Sequence, residues 1–572
     1  MQQLAAEVIV IGTGIGGLAA AKTYLELSPE TDLVLLEKRP TLGGVWSEEN
    51  CYEGLKTNNL GGTYEYSDFP MGAKYGIRED GHIPGFVLHK YLNDFAEHFD
   101  LRRRIRFNTE VVEVEKLASG SWKVTTGSAH TYSCRKLIIS PGLSSNPNPI
   151  KIRGISDFGK PVINHAQLRE EGTRIAQDPA VTSVTVVGAS KTGYDAVHLM
   201  ASNGKKVDWV IRESGGGAVW MTSPWVPFRG AITKLEFLAT MRYFTWFSPC
   251  VWGDFDGFGW IRRLLHGTRL GRYFVHNFWE KLRLGVVDVN GYRKEEPLRH
   301  LEPLESLFWS ARVGILNYPS DIHDYLRSGQ VKITRKDIDH LSSEGTVTFA
   351  DQSTIQTDAL VAITGWNLAP SIKYTPRGLD ASLGIPTSTM TPEEEESWER
   401  LDAAADKEIL TRFPYLQHPP AAKIPYKQAV SPFRLYRGIA PPGLTSTADN
   451  SLAYVKMVHS TSNVIIAETQ ALWVYAYLND QLRIETGDVY RHTALTSRYG
   501  KHRYPCGFSA WYPEFVYDAI PYADMLLSDL GVRSRRKSSW MKEAFEGYTI
   551  HDYKGINREW KEAQAKGEKK LA

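Results

Sequence analysis

The chain has 572 residues, 42% hydrophobic and 23% charged, with 67 Lys and Arg set against 65 Asp and Glu, a net charge of +2. At about 150 residues per domain this length predicts roughly three to four units, enough to bury a large core without disulfides, and the composition excludes intrinsic disorder. So even a balance gives no general field for nucleic acid, which is not expected as a partner; the outlying feature is aromatic, with 16 Trp, 28 Tyr and 21 Phe.

The opening MQQLAAEVIVIG lacks a basic segment and a cleavage site and runs straight into a strand, so no secretory signal is expected. Residues 7–11 (EVIVI) form a β-branched, apolar run of buried-strand type. Gly12-Thr-Gly14-Ile-Gly16-Gly17 follows, then the helix pattern LAAAKTYLEL, stopped by Ser28-Pro29, then a strand ending at Glu37, 25 residues after Gly12. A G-x-G-x-x-G turn between strand and helix, with an acid closing the next strand, predicts a dinucleotide site. Gly12 permits the tight turn, Gly14 lets the backbone approach a pyrophosphate, and Gly17 lets the helix pack closely, while free N–H groups at the helix start meet the anion. Glu37 is placed to accept hydrogen bonds from a ribose diol, with Lys38 beside it. Its charge repels a 2′-phosphate, so this turn should hold FAD or NAD.

The pattern repeats 176 residues later. A buried strand (TSVTVVG) leads to Gly188-Ala-Ser190-Lys191-Thr192-Gly193, a helix, and a strand ending at Arg212. Here a cation stands where an acid would select NAD, so Arg212, with Lys191, favours a 2′-phosphate and hence NADPH. Ser190 replaces the middle glycine and can donate its hydroxyl to phosphate. Residues 109–142 and 336–366 both read as strand, turn, strand and an apolar run closing on Gly. The expected fold class is therefore α/β, with two Rossmann-type modules, the second inserted in the first, a helical aromatic-rich insert and a C-terminal cap. The boundaries are read as 1–150 (first module), 151–340 (second module, insert about 215–310), 341–480 (return to the first) and 481–572 (cap).

Leu235–Leu265 carries Trp246, Trp252 and Trp260 beside Arg242, Arg262 and Arg263; it suits a membrane interface, but Gly253, Gly257 and Gly259 break any long helix, so a buried lid is the preferred reading. Neither Phe237–Leu265, broken by Arg242, Pro249, Asp254 and Asp256, nor Val464–Leu478, which contains Glu468, is an uncharged run long enough to span a bilayer. The acidic run PEEEESWERLDAAADKE reads as a solvated helix. Cys51, Cys134, Cys250 and Cys506 are widely scattered, which signals neither a disulfide framework nor a metal site and fits a reducing, cytoplasmic setting.

The segment after the first module narrows its ligand. Thr41-Leu-Gly43-Gly44-Val45-Trp46, Tyr52…Asn58-Asn59 and Tyr66-Ser-Asp68-Phe69-Pro70 resemble the flavin loop of class B flavoprotein monooxygenases. Phe158…His165 resembles a loosened form of that family's first interdomain linker, with one residue too many and Arg169 where an aromatic is usual, and Ile363-Thr364-Gly365-Trp366 resembles its second. RYPCG, Asp524-Met-Leu-Leu and Tyr553-Lys-Gly look like a fungal secondary-metabolism branch. The resemblance implies FAD on the first turn, with Gly44, Val45, Trp46, Asn58 and Asn59 along it. It implies a C4a-peroxide, formed from reduced flavin and O2, that must be kept dry until it oxygenates a hydrophobic small molecule. Asn58 is the expected catalytic residue: heteroatom oxygenases usually have an amide there and Baeyer–Villiger enzymes an acid, so hydroxylation or N/S-oxygenation is favoured. Alternatives are Baeyer–Villiger oxidation, a flavin oxidase or desaturase, and a dinucleotide-binding scaffold without turnover. A disulfide reductase would need a redox cysteine pair, and Cys51 has no partner nearby in sequence. His165 is read as a cap or hinge of the linker.

Overall fold

The computed structural model describes residues 3–571 apart from residues 79, 229 and 422–429; part of the proline-rich stretch 370–430 thus lies outside the described residues. The apolar run EVIVI becomes the heart of strand Gln3–Ile11. It pairs in parallel with Leu33–Leu36 on one side and Thr131–Ile139 on the other. Val8, Ile9 and Val10 are fully buried because helices and loops cover both faces, which is why the sequence shows a continuous apolar run rather than an alternating one. The sheet has eight strands, and Leu452–Tyr454 joins it beside Thr131–Ile139 after more than 300 residues.

The second sheet has five parallel strands, in the order Val331–Thr334, Lys206–Val210, Ser183–Val187, Ala359–Ala362, Val162–Asn164. Its middle repeats the first sheet: the strand before the glycine turn lies between the next strand and the one that closes the following hairpin. The expected boundary at 340/341 is corrected by this pairing. Hairpin residues 338–356 and strand Ala359–Ala362 belong to the second unit, because Val184–Val187 pair with Ala359–Ala362.

Two chain connections join the units, side by side. The Asn148 N–H donates to Gly365 O (2.9 Å), and Asn367 N–H donates to Asn146 O (2.8 Å). The Asn148 amide donates to Thr364 O and Trp366 O. His165 is buried with its ring edge-on to Trp366, centroids 4.5 Å apart, and burial pushes its imidazole down to about 4. Both linker signatures therefore meet at one joint.

The aromatic-rich insert contains strand pairing that its sequence did not signal. Trp220–Thr222 pairs with Val313–Ile315, and Trp225–Phe228 with Ala231–Lys234. Helices Leu235–Thr240, Arg242–Thr245, Gly259–Gly267 and Arg269–Val289 follow. Trp246 and Trp252 are buried, Trp252 in the core shared with the first module and the C-terminal segment, whereas Trp260 is exposed. Arg242, wholly buried, binds Asp524 and Glu543 of the C-terminal helices, and Arg262 pairs with Asp256 at 2.7 Å. Insert and C-terminal segment thus interlock through paired charges, and removing one partner would leave another buried and unpaired. The acidic run forms helix Pro392–Arg412, begun by a capping box at Thr391 and Glu394 and burying only Trp398, Ala405 and Ile409. Among the described residues, no helix is long and apolar enough to cross a membrane, no metal-binding cluster occurs, and the four cysteines are free.

Candidate functional site

The first glycine turn opens into a cleft of about 1340 Å³, counting the space at its mouth, lined by Gly12, Gly14, Glu37, Lys38, Gly44, Val45 and Trp46 among others. Its glycines have different jobs. A Cβ on Gly12, whose φ is +94°, would lie 2.3 Å from Ser140 O, and one on Gly17 would lie 2.0 Å from Gly12 O, so the chain's own packing demands both. On Gly14 a Cβ would meet only Gly44 Cα, at an ordinary 3.7 Å. Among the described residues nothing requires glycine at 14, which lines the cleft. Gly14 is also the N-cap of helix Ile15–Leu27 and has no side chain to cap it, so the first-turn N–H groups are left for an anion. These features fit a dinucleotide pyrophosphate.

Glu37 is buried. Its Oε2 accepts from the Thr13 N–H (2.9 Å) and hydroxyl (2.6 Å), and Oε1 from the Arg39 N–H (3.0 Å). These bonds fix the carboxylate and leave lone pairs for a ribose diol. Lys38 donates to Asn146 Oδ1 at 3.2 Å, and burial lowers its ammonium. The Asn50 amide donates to Gly44 O (2.8 Å), shaping the Gly43-Gly44 turn, and Trp46 Nε1 donates to the Tyr64 hydroxyl (3.3 Å). Asn58 lies on strand Lys56–Leu60, is exposed, and is not part of the cleft lining. Its neighbour Asn59 is turned to the insert and donates to Glu236 Oε2 at 2.9 Å.

On the second turn, Gly188 and Gly193 repeat the packing roles of Gly12 and Gly17: a Cβ on Gly193 would lie 2.4 Å from Gly188 O. Ser190 is exposed as the uncapped N-cap of helix Lys191–Ser202, which begins with Lys191, Thr192 and Gly193. Arg212 is exposed two residues past strand Lys206–Val210. Lys191 departs from expectation. Its ammonium is paired with Asp195 one turn on and donates to Asn317 Oδ1 (3.0 Å) and the Tyr318 hydroxyl (3.2 Å). A lysine so engaged is not a free cation for a 2′-phosphate; of the two residues expected there, Arg212 alone remains available.

That lysine belongs to a polar seam between the units. The Tyr52 hydroxyl donates to Asp195 Oδ2 (2.8 Å), the Asn317 amide to Thr57 O (3.1 Å), and Arg169 pairs with Glu48 (3.3 Å). The loop carrying Tyr52 and Asn58 is thereby fastened to the second turn. From the other side Glu236 of the insert accepts from Asn59, the Thr63 hydroxyl (2.9 Å) and the Leu60 N–H (3.3 Å), and burial raises its carboxyl. Sequence reading missed Glu236 and Asn317, which have no motif around them, and Asp195, although it lies two residues past Gly193 and one helical turn from Lys191, a spacing that signals an ion pair. It also missed Lys456, which lines the cleft, although a lone cation two residues beyond a buried strand was a usable signal.

Residues 9–226 match the family model described as pyridine nucleotide-disulphide oxidoreductase. Disulfide chemistry finds no support at the first turn: Cys51 is buried, free, and its thiol is pushed up to about 11. An FAD-dependent monooxygenase of Aspergillus nomiae is 34% identical over 97% of this chain and 98% of its own length. Another, of Pyrenophora dematioidea, is 34% identical over 94% and 100%. Among solved structures, an oxidized steroid monooxygenase bound to NADP superposes with a TM-score of 0.60 at 18% identity, covering 93% of this chain and 99% of that one. An open form of cyclohexanone monooxygenase gives 0.57 at 17% identity, covering 93% and 99%. The solved structures share the two-unit fold, and the extent and level of identity to the fungal relatives show the family: this chain belongs to the FAD-dependent flavoprotein monooxygenases, in the branch of those fungal enzymes.

Proposed function

We propose that the protein binds FAD along the cleft of the first unit and NADPH on the second glycine turn, and transfers one oxygen atom of O2 to a hydrophobic small molecule by hydroxylation or N- or S-oxygenation. The observation that carries this reading is the polar seam. Tyr52–Asp195 and Asn317–Thr57 tie the second turn to the loop that runs from the cleft, the proximity that hydride delivery between two bound cofactors requires. Bound there, FAD supplies hydride acceptance and oxygen activation, and the protein supplies binding, orientation and dryness.

Gly14 and the start of helix Ile15–Leu27 would hold the pyrophosphate, Glu37 the ribose, and Trp46 and Tyr64 the far wall. Arg212 would meet the 2′-phosphate in charge-assisted hydrogen bonds, which is consistent with NADP in the solved steroid monooxygenase. Lys191 acts differently, holding Asp195 so that the seam keeps its shape. Asn58, exposed between Thr57 of the seam and the insert-bound Asn59, would offer a neutral amide beside the seam. The insert excludes water: Glu236 clamps it to residues 59–63, and Phe244, Trp279, Phe308 and Tyr517 pack ring against ring behind it.

The test is anaerobic mixing of FAD-loaded protein with NADPH or NADH, followed by readmission of O2 with candidate substrates. Fast bleaching of the flavin by NADPH, and product carrying one atom of labelled O2, support the proposal. Equal bleaching by both nucleotides would remove the NADPH assignment, and no bleaching by either would remove the hydride route.

A further inference from the structure

Lys456 directly follows the buried pair Tyr454-Val455, at the end of the sheet that carries the first glycine turn. Its backbone is left-handed, with φ +61°, a conformation that a side chain disfavours. It is held there by its N–H, which donates to Gln470 Oε1 (2.8 Å), and by the Gln470 amide, which donates to the buried Tyr522 hydroxyl (2.7 Å). The side chain passes over the glycine turn. A Cβ on Gly16 would lie 2.7 Å from Lys456 Cγ, 2.9 Å from Ser140 Oγ and 3.0 Å from Val455 Cγ1, so the glycine that the dinucleotide motif leaves unexplained makes room for this lysine together with Ser140 and Val455. The ammonium then donates to Asn463 Oδ1 (2.8 Å), at the first residue of the 16-residue helix Asn463–Leu478.

Among the described residues no carboxylate pairs with Lys456, and burial alone pushes its ammonium down to about 7. A desolvated ammonium without a counter-ion gives up its proton readily, and negative charge arriving beside it would hold that proton. Its neighbours say where. Lys456 contacts Asn463, Asn463 reaches the Tyr64 hydroxyl, and Tyr64 accepts from Trp46, all four residues lining the cleft. Glu37 and Lys38 form a separate group on the other side of Gly12–Gly14. FAD laid with its ribose at Glu37 and its pyrophosphate at Gly14 therefore brings its ring to the Trp46–Tyr64–Asn463–Lys456 wall.

We propose that Lys456 sets the reduction potential of the cofactor, by placing a positive charge beside the ring end of FAD, where two-electron reduction adds negative charge. This rests on the placement of FAD in the cleft proposed above.

The test compares parent, Lys456→Met and Lys456→Arg by spectroelectrochemical titration, and by the Kd of each for oxidised and for reduced FAD. Lys456→Met should shift the equilibrium at least tenfold toward oxidised FAD, a midpoint lower by about 30 mV for a two-electron couple, and Lys456→Arg should restore most of it. If Lys456→Met releases FAD, the ratio of the two Kd values gives the same shift by linkage. A shift under twofold overturns the proposal. So does equal weakening of both redox forms, which would place the ammonium on the pyrophosphate. Gly14→Ala separates the two levels. FAD lost from Gly14→Ala with an unmoved potential in Lys456→Met sinks only the role of Lys456, whereas FAD held normally by Gly14→Ala with Lys456→Met also unaffected removes the placement itself.

Discussion

Replacing Gly14 with alanine separates what the glycine turn does for the fold from what it does for the ligand. Gly14 has φ −71° and ψ −179°, which alanine adopts freely, and the new methyl would touch only Gly44 Cα at 3.7 Å. Gly→Ala at a compatible site gains about 0.4–1 kcal/mol by restricting the unfolded chain, and the poorer N-cap offsets a similar amount. The melting temperature should therefore stay close to the parent's. Gly17→Ala is the contrast, since its Cβ would sit 2.0 Å from Gly12 O, and relieving that overlap must move either the helix or the strand. For the ligand the ranking reverses. A methyl on residue 14 intrudes on the pyrophosphate path, and overpacking of about 1–3 kcal/mol corresponds to a roughly 5- to 150-fold weaker FAD Kd. The assay is FAD titration by flavin fluorescence on protein stripped of cofactor, beside thermal melts of the three proteins. A Gly14→Ala protein that melts like the parent and binds FAD with the parent's affinity would refute the reasoning.

Three further outcomes follow from the same geometry. Arg212→Ala should raise the NADPH KM about tenfold or more while leaving NADH nearly unchanged, because a charge-assisted hydrogen bond is worth about 1.5–3 kcal/mol; equal effects on both nucleotides in steady-state kinetics would place Arg212 off the 2′-phosphate. Asn58→Ala should spare flavin reduction but raise the H2O2 released per NADPH consumed, and an unchanged ratio on fully FAD-loaded protein would leave Asn58 a structural role only. Glu468 is buried, its Oε1 accepts from the Ser67 N–H and hydroxyl while Oε2 has no partner among the described residues, and burial raises its carboxyl to about 8. The folded protein thus holds a proton that the unfolded chain releases near pH 4.5. Its stabilising effect is complete below that pH and fades as pH rises through 8, by up to about 1.4 kcal/mol per pH unit. Glu468→Gln, which keeps the acceptor and cannot ionise, should gain on the parent in thermal melts from pH 5 to pH 8 and level off above that, and parallel melting curves would contradict this.

The features legible in the sequence were those made by neighbours in the chain. A β-branched run, a glycine turn, a helix and an acid 25 residues on are local, and local sterics and hydrogen bonding suffice to specify a strand–turn–helix–strand unit, so both modules and the places of Gly12, Gly17, Gly188 and Gly193 in their turns were readable. The duplication was readable for the same reason, as each hairpin and its following strand are contiguous. Contacts between distant segments were decided only in the tertiary structure. Lys191 has a local partner in Asp195 one helical turn on, but Asn317 and Tyr318, 126 and 127 residues away, reach it only through the fold. The second unit's boundary moved past residue 362 because parallel strands are recruited across crossovers, so the owner of strand Ala359–Ala362 is fixed by its partners. Glu236 and Lys456 reach the site from segments without periodicity, 177 residues from Asn59 in one case and 440 from Gly16 in the other. No spacing rule links such residues, because only the tertiary fold sets Glu236 against residues 59–63 and Lys456 in the cleft.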